Sequence, residues 1–268
     1  MAALGIPVLF MSHTIAFPIA LSLLALVAVW ELLGLFEFRK SFAVFIPAYG
    51  VAGALPIVSF GMRTLEGAVN FLITVAAIAL CLMLYLLGYS VVKRGKVKLS
   101  DVSLFYVYLV YVIMAFTSLS LLRYIPNGVF YFMMIPIASW ICDIFAYFVG
   151  HAIGKHKLIP EVSPKKTWEG AIGGVYFATM AFMVYGVVLH FIEDAPTPNY
   201  FILCILGVVL SIVSQIGDLS ASLLKRERGK KDFGAIFPGH GGVLDRFDSF
   251  LPVAPILLVT CMIWPPLS

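Results

Sequence analysis

The chain reads as an all-α membrane protein that crosses the bilayer about eight times, with eight to nine crossings as the range. Three observations carry that class. Mean hydropathy is +1.02. Across 268 residues, 62% are hydrophobic and only 12% charged. The apolar residues also fall in runs of about 20, the length a helix needs to cross the hydrocarbon core. Runs of that length rich in Leu, Val, Ile, Phe and Ala are too long for strands, and a transmembrane barrel would show alternating segments of about ten residues.

Taken in order, the predicted spans are 14–36, 42–60, 67–92, 102–122, 126–150, 168–192, 199–224 and 249–267. Residues 4–12 are also apolar and are a candidate re-entrant or interfacial piece. The N-terminus lacks the charged region of a signal peptide, so the first apolar stretch is read as part of the mature protein. Pro47 and Pro56 are expected to kink the second span, which membrane helices tolerate. No internal repeat or low-complexity linker is evident. The four cysteines, Cys81, Cys142, Cys204 and Cys261, lie in or beside apolar runs without CxxC spacing. They are read as buried small hydrophobes rather than disulfide or zinc partners.

Charge distribution orients these spans. Of the 18 basic residues, all but Arg63 and Arg123 fall in the loops after spans one, three, five and seven. Cytoplasmic loops collect Lys and Arg. Both long polar loops, 151–167 and 225–248, are therefore expected on the cytoplasmic side of a cytoplasmic (inner) membrane, with both termini outside.

Those two loops carry the chemistry. The first follows "CDIFAYFVG", where Asp143 interrupts an apolar run; an ionisable residue there is costly and marks a candidate functional site. Asp143 and Tyr147 share a helix face, and Gly150 and Gly154 continue that stripe with small residues. In "SPKKTWEG", Ser163 or Thr167 is a candidate N-cap for the sixth span. Lys165 and Lys166 flank that helix start, which favours an anion.

The second loop follows Asp218, again inside an apolar run, with Ser222 and Lys225 at helical spacing beyond it. Then comes "FPGHGGVLDRFDS". Successive glycines let backbone N–H groups cradle phosphate oxygens, and Asp245 and Asp248 follow at i and i+3. Asp218, Asp245 and Asp248, with Asp143 as a fourth, are candidates to meet at one membrane face. Clustered carboxylates in a low-dielectric site call for a cation. Hard oxygen ligands favour Mg2+, which keeps waters and bridges phosphates. A metal, lysines and a glycine loop together point to phosphoryl or nucleotidyl transfer.

At this point "SLLKRERGKKDFGAIFPGHGGVLDRFD", Ser222 to Asp248, resembles the signature of the phosphatidate cytidylyltransferase (CDP-diacylglycerol synthase) family. "DIFAYFVGHAIGKHKLIPEVSPKKTWEG" is similar to that family's second block. The resemblance covers the chain from about Trp140 onward. It implies N-terminal transmembrane helices over 1–125 and a catalytic transmembrane region over 126–268. It also implies transfer of CMP from CTP to phosphatidate with Mg2+, giving CDP-diacylglycerol and pyrophosphate. Carried over by position, Asp218, Asp245 and Asp248 bind metal. Lys225, Arg226, Lys231, His240, Gly241, Gly242 and Arg246 contact phosphates or shape the loop, and Asp143, Ser163, Lys165, Lys166 and Thr167 complete the site. Two departures stand out: Ala221 where the family usually has Glu, and no basic motif in "MAALGIPVLF".

The expected partners are CTP, phosphatidate and membrane lipid, not nucleic acid, with homodimerisation left open. The rival enzymatic readings are a CTP-dependent polyprenol kinase and an ether-lipid cytidylyltransferase. An ion-coupled transporter is the rival from another class, and it predicts repeat symmetry that the sequence lacks.

Overall fold

A computed structural model describes residues 14–236 and 241–267. The apolar stretch 4–12 and His240 lie outside the described residues. Seven helices among those described are long and apolar enough to cross a membrane, which makes this a multi-pass membrane protein. The chain divides into two compact units, Met1–Pro126 with Asp232–Asp245, and Asn127–Lys231 with Arg246–Ser268.

In the first unit, α1 (Ala16–Leu35) packs against α2 (Phe42–Val58) and α4 (Leu99–Tyr124), and α3 (Leu65–Val92) packs against α4. Helices in lipid gain little from hiding apolar surface, so close packing and interhelical hydrogen bonds must hold them. Ala25, Ala28, Ala48, Ala52 and Ala68 are accordingly buried. Ser22 Oγ donates to the Gly53 carbonyl at 2.6 Å. Pro47 and Pro56 both lie inside α2. The Pro56 carbonyl, in the last turn of α2, accepts from Ser59 Oγ at 2.7 Å and from Ser120 Oγ of α4 at 2.9 Å, so hydroxyls satisfy a carbonyl at the helix end. Thr64 caps α3 by accepting from Gly67 N at 3.1 Å.

In the second unit, α5 (Gly128–Pro136) runs through a π-helical turn (Ile137–Ile141) into α6 (Cys142–Ile153), and the three form one span. A short antiparallel hairpin follows, β1 (Lys157–Ile159) and β2 (Ser163–Thr167). Next come α7 (Trp168–His190), α8 (Tyr200–Glu227), α9 (Leu244–Phe247) and α10 (Val253–Ile263). Helix α9 straddles the unit boundary. Helix α7 packs on α6 and α8, and α8 on α10.

Glycines permit this closeness. A Cβ at Gly170 would stand 2.5 Å from the Ala146 carbonyl oxygen, and one at Gly174 2.7 Å from that of Cys142. Gln215 of α8 donates to the Ala171 carbonyl at 3.0 Å.

Several sequence expectations change. The last span is helical only over Val253–Ile263. Eleven residues rise about 16 Å, half the hydrocarbon thickness. Pro252 precedes that helix and Pro265-Pro266 follow it, so an apolar run does not become a long helix. The loop 151–167 contains a hairpin, and α8 extends to Glu227, so Lys225 keeps the helical spacing read for it and Arg226 is helical as well. Cys142 and Cys261 are buried as expected, whereas Cys81 and Cys204 are exposed on their helices.

Candidate active site

The second unit gathers its charges where the sequence placed them as isolated interruptions. Asp143 sits in the first turn of α6, directly after the π-helical turn. Such turns re-aim the face of a helix and recur at functional sites. Asp218 lies on α8 beside Gly217. A Cβ at Gly217 would stand 2.7 Å from the Asp248 carbonyl oxygen, so this glycine lets the segment carrying Asp248 lie against α8. Asp248 follows α9, and its Oδ1 accepts from Ser249 N at 2.9 Å. Asp143 hydrogen-bonds the Ser249 side chain and feels Asp218 and Lys166 electrostatically. Ser139 Oγ donates to the Ser249 carbonyl at 3.1 Å, fixing that turn from the other side.

Two lysines enter this carboxylate group. Lys166, near the end of β2, places Nζ 2.5 Å from Asp218 Oδ2, with about a quarter of each side chain exposed (27% and 26%). The hairpin is what carries Lys166 there. Its last residue, Thr167, then caps α7 by accepting from Gly170 N at 3.2 Å. The capping choice between Ser163 and Thr167 thus falls to Thr167, while Ser163 pairs with Ile159 in the hairpin. Lys225, in the last turn of α8, is only 8% exposed and within electrostatic reach of Asp248. Burial first, and then the Asp218 charge, pushes the Asp248 carboxyl up to about 7. Lys225 opposes that rise.

Lys165, Arg226, Lys231 and Arg246 are exposed, and none is ion-paired among the described residues. Ser222 is half-buried on α8. Gly241, Gly242 and Asp245 belong to the first unit. Gly241 has φ +80°, a conformation that favours glycine. Asp245 Oδ2 accepts from Phe233 N at 2.8 Å and Gly242 N at 2.9 Å, so it braces its own loop.

Sequence reasoning passed over Glu31, Ser249 and Gln215. Glu31 is a carboxylate inside an apolar run, the same signal that singled out Asp143 and Asp218.

The donor set of the second unit can be tested for a metal. Among the described residues no three His, Cys, Asp or Glu side chains stand close enough to enclose an ion. Mg2+ seldom needs such a cage, since it binds through one or two carboxylates plus water and substrate phosphate. Asp218 and Asp248, with lysines beside them, fit an ion of that kind and not an all-protein site.

A mostly helical, multi-pass membrane protein whose half-buried carboxylates meet lysines in one unit has the parts of an enzyme that handles charged phosphates. The model of the cytidylyltransferase family matches residues 1–264, and the chain belongs to that family, making it a nucleotidyltransferase. It is 40% identical over 181 residues to a phosphatidate cytidylyltransferase of Bacillus subtilis (strain 168), covering 67% of this chain and 65% of that one. It is 34% identical to the Staphylococcus haemolyticus (strain JCSC1435) protein of the same name, covering 94% of this chain and 92% of that one. For the Staphylococcus saprophyticus counterpart the identity is 35%, over 88% and 85%.

Proposed function

We propose that the protein transfers CMP from CTP to phosphatidate, releasing pyrophosphate and leaving CDP-diacylglycerol in the membrane. The observation that carries this is the Asp143–Asp218–Asp248 group with Lys166 and Lys225, in a chain of the cytidylyltransferase family.

A phosphate oxygen of phosphatidate attacks the α-phosphorus of CTP. A new P–O–P bond forms, the bond to the β-phosphate breaks, and its electron pair leaves on pyrophosphate. The attacking monoester is largely ionised near neutral pH, with a second pKa of about 6, so it needs little base catalysis. Positioning and charge stabilisation supply the rate. Lys166 and Lys225 are the cations placed to bind triphosphate and to offset the charge that grows on the leaving group. Asp143 and Ser249 hold each other and orient the turn that carries Asp248.

Bound Mg2+ would neutralise phosphate charge on CTP. Asp218 and Asp248 are its proposed protein ligands. Asp245, three residues before Asp248, is the third on sequence grounds. The exposed Lys165, Arg226, Lys231 and Arg246 are proposed to draw CTP toward the site. The loops 151–167 and 225–248 are proposed to face the cytoplasm, where CTP is available.

The test is purified protein with labelled CTP, phosphatidate and Mg2+, with and without EDTA, read as labelled CDP-diacylglycerol and pyrophosphate. Asp218→Asn, Asp245→Asn and Asp248→Asn are each expected to abolish metal-dependent turnover. Near-native activity in Asp218→Asn, Asp245→Asn or Asp248→Asn would overturn the metal assignment. Release of CDP in place of pyrophosphate would identify a kinase instead.

A further inference from the structure

Helix α1 contributes a carboxylate that its apolar surroundings do not explain. Glu31 is only 1% exposed, within a run whose neighbours are Leu, Val, Ala and Trp. A charge so placed is costly unless hydrogen bonds satisfy it. Its partners lie more than 200 residues away in the chain. Glu31 Oε1 accepts from Val243 N at 2.8 Å, and Oε2 accepts from Leu244 N at 2.9 Å. One carboxylate therefore holds two successive amides of the segment that leads into Asp245.

Two glycines make room for it. A Cβ at Gly234 would stand 2.6 Å from Glu31 Oε1, and one at Gly242 would run into the same carboxylate. Both ends of the described loop thus close around Glu31. The third fastening is Asp245 itself, whose Oδ2 takes the amides of Phe233 and Gly242. Gly242, Val243 and Leu244 consequently give all three of their N–H groups to two carboxylates, and the backbone just before Asp245 has no donor left to turn elsewhere. Arg39 is within electrostatic reach of Glu31. It is itself held by its Nε donating to the Trp30 carbonyl at 3.2 Å and by its guanidinium 4.5 Å over the Trp30 ring.

We propose that Glu31 is a positioning residue for the nucleotidyl transfer. It fixes the backbone of residues 242–244, and through it the Asp245 carboxylate, from inside a membrane helix. Glu31 touches neither substrate nor metal in this role. The inference rests on the cytidylyltransferase reading above.

The experiment compares wild-type protein with Glu31→Gln, Glu31→Leu and Gly234→Ala, all full-length in detergent or lipid nanodiscs. Gln keeps the shape but turns a donor toward an amide donor. Leu removes both acceptors. The Gly234 methyl displaces the carboxylate from the loop side, and it serves if the Glu31 variants fail to fold. Each sample is read by hydrogen exchange over residues 232–245, by thermal unfolding, and by kcat and KM with CTP, phosphatidate and Mg2+.

The expected result is exchange at Val243 and Leu244 that rises while the amides of α1 and α4 keep their protection. With it, kcat falls about 10- to 100-fold, the range for residues that orient ligands. KM for phosphatidate stays within about twofold of wild type. Unchanged protection at Val243 and Leu244, or a loosened loop with kcat within about twofold of wild type, would overturn the proposal. So would loss of protection throughout α1 and α4, because that marks a purely structural Glu31. A wild-type protein without CTP:phosphatidate activity would sink the reaction instead, and the exchange measurements would still decide whether Glu31 tethers the loop.

Discussion

Asp248 lies outside the long helices, yet burial and the neighbouring Asp218 push its carboxyl up to about 7. The sign of the consequence follows from linkage. A carboxyl whose folded pKa is raised contributes stability that is fully present below its unfolded pKa and is lost as pH rises through the folded value. Metal-free protein should therefore lose thermal stability between about pH 4 and pH 7. A divalent cation binds the ionised form, so Mg2+ should raise Tm more at the upper end of that range than at the lower. Asp248→Asn should flatten the metal-free profile and remove much of the Mg2+ effect. Thermal unfolding in detergent with EDTA or Mg2+ checks this. A wild-type profile that stays flat across that range would remove the electrostatic account of the site. Lys166 offers a second residue-scale check. Lys166→Met leaves the stem but removes the ammonium beside Asp218, and turnover should fall by about tenfold or more, as when a charge-stabilising donor is lost. Wild-type turnover in that variant would exclude Lys166 from the chemistry.

Individual helices depend on the absence of side chains at particular places. On α7, a Cβ at Gly174 would stand 2.7 Å from the Cys142 carbonyl oxygen, whereas Gly50 on α2 and Gly88 on α3 face open space. Gly174→Val should cost about 1–3 kcal/mol through overpacking. Because α6 starts at Cys142, it should also displace Asp143 and lower turnover. Gly88→Ala should be neutral or stabilise by up to about 1 kcal/mol, since Ala is the better helix former. Equal Tm values for the two variants would contradict the packing described for α6 and α7.

The same elements show what was legible in the chain. Long helices were legible because hydropathy and length together decide a span. The short α10 was not, because Pro252, Pro265 and Pro266 interrupt helix geometry without lowering hydropathy. The β1–β2 hairpin was hidden by its lysine-rich composition, and only its pairing shows how Lys166 reaches Asp218. Asp143 and Asp218 stood out as ionisable residues in apolar runs. Glu31 carried that signal too, but its meaning depends on amides more than 200 positions away. Asp245 read as a ligand candidate, and its bracing of Phe233 and Gly242 appears only once the loop is folded.

At the scale of the whole molecule, the distribution of charge makes a claim about the membrane that can be measured. Lys93, Arg94, Lys96 and Lys98 join α3 to α4, Lys155 and Lys157 follow α6, and Lys230 and Lys231 follow α8. Glu193 and Asp194 join α7 to α8 on the opposite parity. The long helices α1 to α4, the α5–α6 span, α7 and α8 are seven crossings. Shortening the last helix changes nothing upstream of it. Loops separated by an even number of crossings must share a side, and Lys-rich short loops stay cytoplasmic. Single-cysteine variants K96C, K157C and K230C, in a background lacking the four native cysteines, should react with an impermeant maleimide only when the cytoplasmic face is exposed. D194C should react in intact cells. Labelling of K96C and K157C from opposite faces would break the parity. It would mean that one helix between them does not cross, and α5, with Pro136 and the π-helical turn behind it, would be the first to re-examine. Labelling of all three lysine positions from outside would keep the parity and invert the molecule. The acidic group around Asp218 would then face away from the cytoplasmic supply of CTP, and the proposed reaction could not stand.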